Sequence, residues 1–88
     1  MNKNIQTSVN NRLKRIEGQV RGLQKMIAEE KYCIDVITQS SAIRNALASV
    51  EDLMLQNHLT QHVVHQMKHG KEDVAAKEIL KVYKLQRK

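Results

Sequence analysis

Apolar side chains near the start of the chain recur at alternating spacings of four and three residues. This alternation predicts an amphipathic α-helix, because it places its members on one face; they are Val9, Leu13, Ile16, Val20, Leu23 and Ile27. Thr7 or Ser8 is the predicted N-cap of this helix. The stretch EEKYC, around residues 30–33, breaks the pattern and ends the element.

A second and longer helix is predicted from about Ile34 to about Met67. Its apolar positions follow helical spacing, and its middle is slim because it carries the small residues Ala42, Ala46, Ala48 and Ser49. The stretch HGKED at 69–73 predicts a turn, with Gly70 as the C-cap of the second helix and Asp73 as the N-cap of a short third helix. We therefore expect an all-α fold, a three-helix subunit with a long second helix, formed by residues 1–88 as a single domain.

The composition agrees with this expectation and adds a second one. The chain has no Pro, no Phe and no Trp, and only two Tyr, so its core must consist of aliphatic side chains. At 88 residues, one thin core gives only marginal stability. Oligomerisation is the usual remedy for such small helical chains, and we expect a homo-oligomer.

Charge and cysteine usage indicate the partner and the compartment. The formal net charge is +6 and the pI is about 9.7, which favours an acidic partner, nucleic acid before a membrane surface. No apolar run has the length of a membrane-spanning helix, and no signal peptide opens the chain. The single cysteine cannot form an intrachain disulfide. These features predict a cytoplasmic protein.

Basic residues of the first helix project away from its apolar stripe or flank it. A solvated face is the ordinary explanation, but the overall positive charge makes phosphate contact an equal alternative. The sequence contains no helix-turn-helix or zinc-finger pattern, so we expect a broad positive surface that contacts phosphates and responds to the shape of double-stranded DNA. The candidate DNA-binding residues are Arg12, Lys14, Arg15, Arg21 and Arg44.

All four histidines fall within residues 58–69, HLTQHVVHQMKH, at spacings of four, three and four. His58 and His62 form an i, i+4 pair, which lets two imidazoles on one helix reach one metal ion. Such a pair alone is also common on ordinary polar helix faces. His65 and His69 share the same face, and either is a candidate for a fourth ligand or a weak outer site. His65 is the better candidate of the two, and exposed polar residues without a metal are the alternative.

Cys33 strengthens the metal hypothesis. If one continuous helix extends back from His58, the side chain of Cys33 lies on the same face as the histidines. The two residues are 25 positions apart, about 37 Å along a helix, so one subunit cannot bring them together. Two antiparallel copies with a two-fold axis near residues 46 and 47 would do so, and the small residues there permit a close approach. Each of two identical sites would then combine Cys33 of one subunit with His58 and His62 of its partner.

Two stretches, RLKRIEGQVRG at 12–22 and YCIDVITQ at 32–39, resemble the copper-sensing operon repressor (CsoR) family. HLTQHVVHQ at 58–66 is similar to the nickel and cobalt repressor (RcnR) branch of the same superfamily. The resemblance implies an antiparallel helical dimer that assembles into a tetramer, and a repressor that releases operator DNA when its effector binds.

The resemblance also implies roles for individual residues. Cys33 and His58 match the first two metal-ligand positions. His62 occupies the third, which is cysteine in many copper sensors and histidine in others and in the nickel and cobalt branch. Tyr32 and Glu78 match outer-shell positions that, in copper-sensing relatives, link metal binding to DNA release.

The sequence identifies the effector less specifically than it identifies the family. Persulfide-sensing relatives use two cysteines, formaldehyde-sensing relatives a proline beside the initiator methionine, and nickel and cobalt sensors an N-terminal histidine. This chain has one cysteine and no proline, and its first histidine is His58. A thiolate with two imidazoles suits Cu(I), so we rank Cu(I) first, Ni(II) or Co(II) second and Zn(II) third. A formaldehyde-responsive repressor and a cytosolic metal buffer are further alternatives.

Two other classes of protein are disfavoured. An enzyme would need a substrate pocket and a general base, and slim helices offer little room for a small-molecule substrate. A membrane-surface protein would need a free apolar face, whereas the apolar stripes are expected to be used in helix packing.

Overall fold

The computed structural model of the chain describes residues 1–86, and these form helices joined by short turns. Helix α1 spans Lys3–Ala28, α2 spans Cys33–Asn57, a π-helical segment spans His58–Val63, α3 spans Val64–Lys68 and α4 spans Glu72–Gln86. Both junctions of the π-helical segment keep right-handed helical backbone angles, so helical structure is uninterrupted from Cys33 to Lys68. No strand occurs within residues 1–86. The predicted all-α, three-helix subunit with a long second helix is confirmed.

Two of the predicted helix starts are wrong. Helix α1 begins with Asn2 as its N-cap, whose side chain accepts a hydrogen bond from the Ile5 N–H at 2.8 Å. Thr7 and Ser8 therefore lie inside the helix, because nothing between Asn2 and them stops helical structure. Asp73 lies within the first turn of α4, where its negative charge still favours the positive end of the helix dipole.

The long second helix ends in a Schellman motif. The Lys71 N–H donates to the Gln66 carbonyl at 2.7 Å, and the Gly70 N–H to the Met67 carbonyl at 3.4 Å. Gly70 has a φ of +71°, the left-handed conformation that this motif requires. The C-cap is His69, so the predicted turn is present and Gly70 follows the cap instead of forming it.

Helix α1 ends with the same bonding pattern but without a glycine. The Lys31 N–H donates to the Met26 carbonyl at 3.0 Å, and the Glu30 N–H to the Ile27 carbonyl at 3.1 Å. Glu30 takes the left-handed position with a φ of +52°. A residue with a Cβ is strained there, because the Cβ comes too close to the following carbonyl oxygen.

The chain divides into two compact units, Met1–Leu55 and Gln56–Lys88, and each has a small core. In the first unit the buried apolar residues are Ile16 and Ile43. In the second unit they are Val63 and Ala75, beside the buried polar residue Asn57. The single domain expected for residues 1–88 stays a prediction.

Most large apolar side chains remain exposed in a single copy of the chain. Along the predicted stripe of α1, Ile16 is buried, whereas Leu13, Val20 and Ile27 are 41%, 41% and 62% exposed. The expectation that this stripe is used up in helix packing is therefore not met within one chain. No helix among residues 1–86 has the length and apolarity needed to cross a bilayer.

The two helix ends yield a matched pair of stability predictions. Glu30→Gly is expected to raise the free energy of unfolding by about 1 kcal/mol, because glycine adopts a positive φ without steric cost. Gly70→Ala is expected to lower it by a similar amount; an added Cβ meets no atom within 4 Å, so its effect is conformational. Urea denaturation at one fixed protein concentration measures both changes. Changes of the same sign would contradict the assignment of strain to these backbone positions.

Candidate metal centre and basic surface

The segment that carries His58 and His62 is wider than an α-helix. It is π-helical from His58 to Val63, a rare geometry that often occurs at functional sites. The Thr60 hydroxyl lies 2.9 Å from the Gln56 carbonyl oxygen and 3.2 Å from that of Asn57, so it supplies a donor to carbonyls at the start of the segment. Buried residues flank both ends, with Asn57 and Val63 only 4% and 6% exposed. The two histidines therefore lie on an anchored piece of backbone.

His58 contacts the carboxylate of Glu78 in helix α4. His58 Nε2 lies 2.7 Å from Glu78 Oε2, and both atoms are shielded from solvent. The contact does not have the angular geometry of a hydrogen bond, so it is a close approach of two polar atoms that becomes an ion pair when the ring is protonated. Since Nε2 is occupied by this contact, Nδ1 is the ring nitrogen of His58 that remains available to an ion.

His62 lies beside His58, one turn further along. The two ring centroids are 5.4 Å apart and the ring planes are inclined by 29°. His62 is exposed, whereas His58 is half-buried. The spacing found in the sequence thus brings two imidazoles together, one in contact with Glu78 and one exposed.

The remaining two histidines form a second ring pair. The centroids of His65 and His69 are 4.1 Å apart at an angle of 29°. His69 Nδ1 lies 2.8 Å from the backbone oxygen of His65. Both side chains are exposed at the end of α3.

Cys33 is a free cysteine and the first residue of α2. It is exposed, and so is the neighbouring Tyr32, at 72%. The Tyr32 carbonyl accepts hydrogen bonds from the Asp35 and Val36 N–H groups at 3.0 and 3.2 Å, which fixes the backbone where the helix begins. Within residues 1–86 of one chain, no three His, Cys, Asp or Glu side chains are arranged to hold a metal ion.

The predicted basic residues differ in how freely they can reach a phosphate. Lys14, Arg15 and Arg44 are exposed, and none forms an ion pair with the residues described. Arg21 pairs with Glu17. Its charge is therefore partly balanced before any DNA arrives.

Arg12 is tied to the second helix of its own chain. It is half-buried, and its Nη1 donates to the Ser49 hydroxyl oxygen at 3.1 Å. The Ser49 hydroxyl in turn donates to the Ala46 carbonyl at 2.7 Å. Ser49, expected to face a partner helix, thus contacts α1 of the same chain, and Arg12 has a structural contact as well as a charge.

Sequence periodicity alone did not reveal the contact between His58 and Glu78. The two residues are 20 positions apart on either side of a turn, and only the family resemblance marked Glu78. One clue was present, since Glu78 is the one acidic residue of α4 outside its first turn. The π-helical geometry has no counterpart in the apolar pattern, which continues at α-helical spacing.

Known proteins resemble this chain over most of its length. A sequence model of the family described as metal-sensitive transcriptional repressors matches residues 5–85. The copper-sensing transcriptional repressor CsoR of Bacillus subtilis is 42% identical over 76 residues, which cover 86% of this chain and 75% of that protein. The transcriptional repressor RcnR of Citrobacter koseri is 39% identical over 71 residues, 81% of this chain and 79% of that one.

Solved structures of metal-responsive regulators have the same fold as this chain. The crystal structure of the copper-sensing repressor CsoR with Cu(I) from Geobacillus thermodenitrificans superposes with a TM-score of 0.93 at 39% identity, covering 100% of this chain and 92% of that one. The nickel-responsive transcriptional regulator InrS superposes with a TM-score of 0.78 at 31% identity, covering 89% and 88%. With this match in sequence and fold, the chain belongs to the family of metal-sensitive transcriptional repressors, which are regulators and not enzymes.

Proposed function

We propose that this protein represses transcription by binding double-stranded operator DNA in its metal-free form, and that Cu(I) binding releases it. The ion would be held between subunits by Cys33 of one copy and by His58 and His62 of the partner. The observation that carries the proposal is the state of His58: Glu78 lies against its Nε2 at 2.7 Å, and its Nδ1 is left for an ion. A metal-binding histidine is typically oriented by such a partner on its other nitrogen.

The donor set fits Cu(I). A thiolate and imidazoles are ligands that suit copper, and three of them provide the low coordination number that Cu(I) accepts. The similarity to two copper-sensing repressors supports the same ion. Ni(II) or Co(II) is the second candidate, favoured by the additional imidazoles of His65 and His69 and by the similarity to the nickel-responsive InrS. Zn(II) ranks third, because it would need a fourth ligand.

A second copy of the chain supplies what one copy lacks. One described chain offers two adjacent imidazoles but no third ligand beside them, and much of its apolar surface is uncovered. An antiparallel dimer, paired into a tetramer, would cover that surface and bring a thiol to each imidazole pair. The same assembly would act on DNA in the cytoplasm.

Helix α4 is the element that would carry the effect of the ion away from the site. Glu78 belongs to α4 and contacts His58, so an ion that fixes the His58 ring also changes the preferred position of the carboxylate. Tyr32, next to Cys33, would take part from the other side of the intersubunit site. The ion need only bind DNA-free protein more tightly by about 1–3 kcal/mol to act as a switch.

DNA would be contacted mainly through phosphates. Lys14, Arg15 and Arg44 are exposed and unpaired within the described residues, so they are the strongest candidates. Arg12 and Arg21 would contribute less, because Ser49 and Glu17 already engage them.

The central test is fluorescence anisotropy of operator DNA from upstream of this protein's gene, performed without oxygen. Metal-free protein is expected to bind, and Cu(I) is expected to lower its affinity at least about tenfold. Cys33→Ala should bind DNA equally well but lose the response to Cu(I). His69→Ala, which alters a histidine outside the proposed site, should keep it.

Other outcomes identify the alternatives. Release by Ni(II), Co(II) or Zn(II) instead of Cu(I) would identify a different effector ion and leave the proposed repressor mechanism unchanged. Binding that no metal changes would point to another effector at Cys33, with formaldehyde first. Absence of DNA binding, with Cu(I) still bound, would favour a metal buffer.

Glu78→Gln tests the proposed link between ion and DNA. It removes the charge beside His58 while keeping the side-chain shape. Cu(I) affinity is expected to fall by about tenfold, the lower end of the range for an outer-shell partner, while Cu(I)-induced release is largely lost. Glu72→Gln makes the same change in the first turn of α4 and should behave like the unchanged protein. Competition with a Cu(I) chelator measures affinity and anisotropy measures release. Full release by the Glu78→Gln protein would contradict the coupling role.

Arg15→Gln and Arg21→Gln test which cations reach phosphates. The slope of log K against log salt concentration is negative, and each lost phosphate contact reduces its magnitude by about 0.9. Arg15→Gln is expected to lower it by at least this amount, and Arg21→Gln by less because Glu17 engages Arg21. Titrations at several salt concentrations give both slopes, and a larger decrease for Arg21→Gln would overturn the ranking.

A further inference from the structure

The second histidine pair, at the end of helix α3, has its own geometry. The His65 and His69 rings lie closer together than those of His58 and His62, with centroids 4.1 Å apart against 5.4 Å. The nitrogens of two rings that share one ion each lie about 2.0–2.1 Å from it. The 4.1 Å separation is shorter than that of two rings bound to one ion at a right angle, so side-chain rotation must move the rings apart before they share an ion.

One of these rings has a defined orientation. His69 Nδ1 lies 2.8 Å from the backbone oxygen of His65, and since a carbonyl oxygen can only accept, this nitrogen must carry the proton. In the neutral ring Nε2 is then unprotonated and has a free lone pair. Orientation by a backbone carbonyl is a common arrangement for metal-binding histidines.

The backbone around His69 is also held in place. His69 is the C-cap of α3, and its N–H lies 3.2 Å from the carbonyl oxygens of His65 and Gln66. The Schellman motif that follows fixes the chain through the 2.7 Å bond from Lys71 to Gln66. A helix C-terminus, with its partial negative charge, favours a nearby cation.

We infer that His65 and His69 form a second metal site, which takes a divalent ion with a preference for imidazole, such as Ni(II) or Zn(II). The site requires no thiol and no partner subunit, which separates it from the proposed Cu(I) site. Solvent would complete the coordination, since both side chains are exposed. Lys68 and Lys71 are exposed nearby and oppose a cation, so the site binds more weakly than one with three protein ligands.

The test uses full-length protein that lacks the ligands of the proposed Cu(I) site. In the Cys33→Ala/His58→Ala/His62→Ala variant, equilibrium dialysis with Ni(II), repeated with Zn(II), is expected to find one ion per subunit. Adding His65→Ala and His69→Ala together should lower the affinity by more than about tenfold, because loss of even an outer-shell partner of a ligand typically costs that much. Adding Gln56→Ala and Gln61→Ala instead, two exposed and uncharged positions on the same stretch, should leave metal binding unchanged.

A second measurement identifies the coordinating atoms. In long-range proton–nitrogen NMR spectra of the same triple variant, Zn(II) is expected to shift Nε2 of His69 and one nitrogen of His65, while Nδ1 of His69 keeps its proton. Circular dichroism verifies that each variant is helical.

Two results would overturn the inference: no Ni(II) or Zn(II) bound by the triple variant, or binding that survives loss of both His65 and His69. Neither result bears on the proposed Cu(I) site, because that site is absent from the tested protein. Failure of the proposed function would instead appear as Cu(I)-independent DNA binding by the unaltered chain.

Discussion

Slim helices limit how much apolar surface one copy of this chain can bury. The chain has no Phe, Trp or Pro and forms long helices with aliphatic apolar stripes. Among residues 1–86, each compact unit has two buried apolar residues. Burial of apolar surface is the main favourable contribution to folding, so contact with further copies would supply much of the stability in the proposed oligomer. Assembly and folding are therefore coupled, and a ligand that binds between copies can act on both.

The same limit would explain why the proposed metal centre is divided between two copies of the chain. A narrow helix presents ligands along one edge and cannot surround an ion. The π-helical segment presents His58 and His62 side by side, and the carboxylate of Glu78 determines which nitrogen of His58 is free. The Glu78 carboxylate thus positions the His58 ring and also connects helix α4 to that ring.

The sequence predicted the helical architecture well because apolar periodicity is a direct consequence of burial on one face. The break near residue 30, the turn at Gly70 and the pairing of His58 with His62 all follow from local rules. The start of the first helix was harder to predict from the sequence. Asn2, Thr7 and Ser8 are all good caps, and the choice depends on which side chain meets a free N–H.

Tertiary contacts were the least predictable part. Arg12 was assigned to DNA from its charge, but its contact with Ser49 joins residues 37 positions apart. The contact of His58 with Glu78 likewise depends on how α4 packs against the end of the second helix. The intersubunit arrangement of Cys33 with the histidines depends on a second copy, and it remains a prediction.

The placement of the two tyrosines has a practical consequence. Because the chain contains no Trp, its intrinsic fluorescence arises from Tyr32 and Tyr83 alone. Tyr32 immediately precedes Cys33, and Tyr83 lies on α4, the helix that carries Glu78. The protein therefore has one native chromophore beside the proposed thiolate ligand and another on the proposed coupling helix, so its emission can follow both without any attached dye.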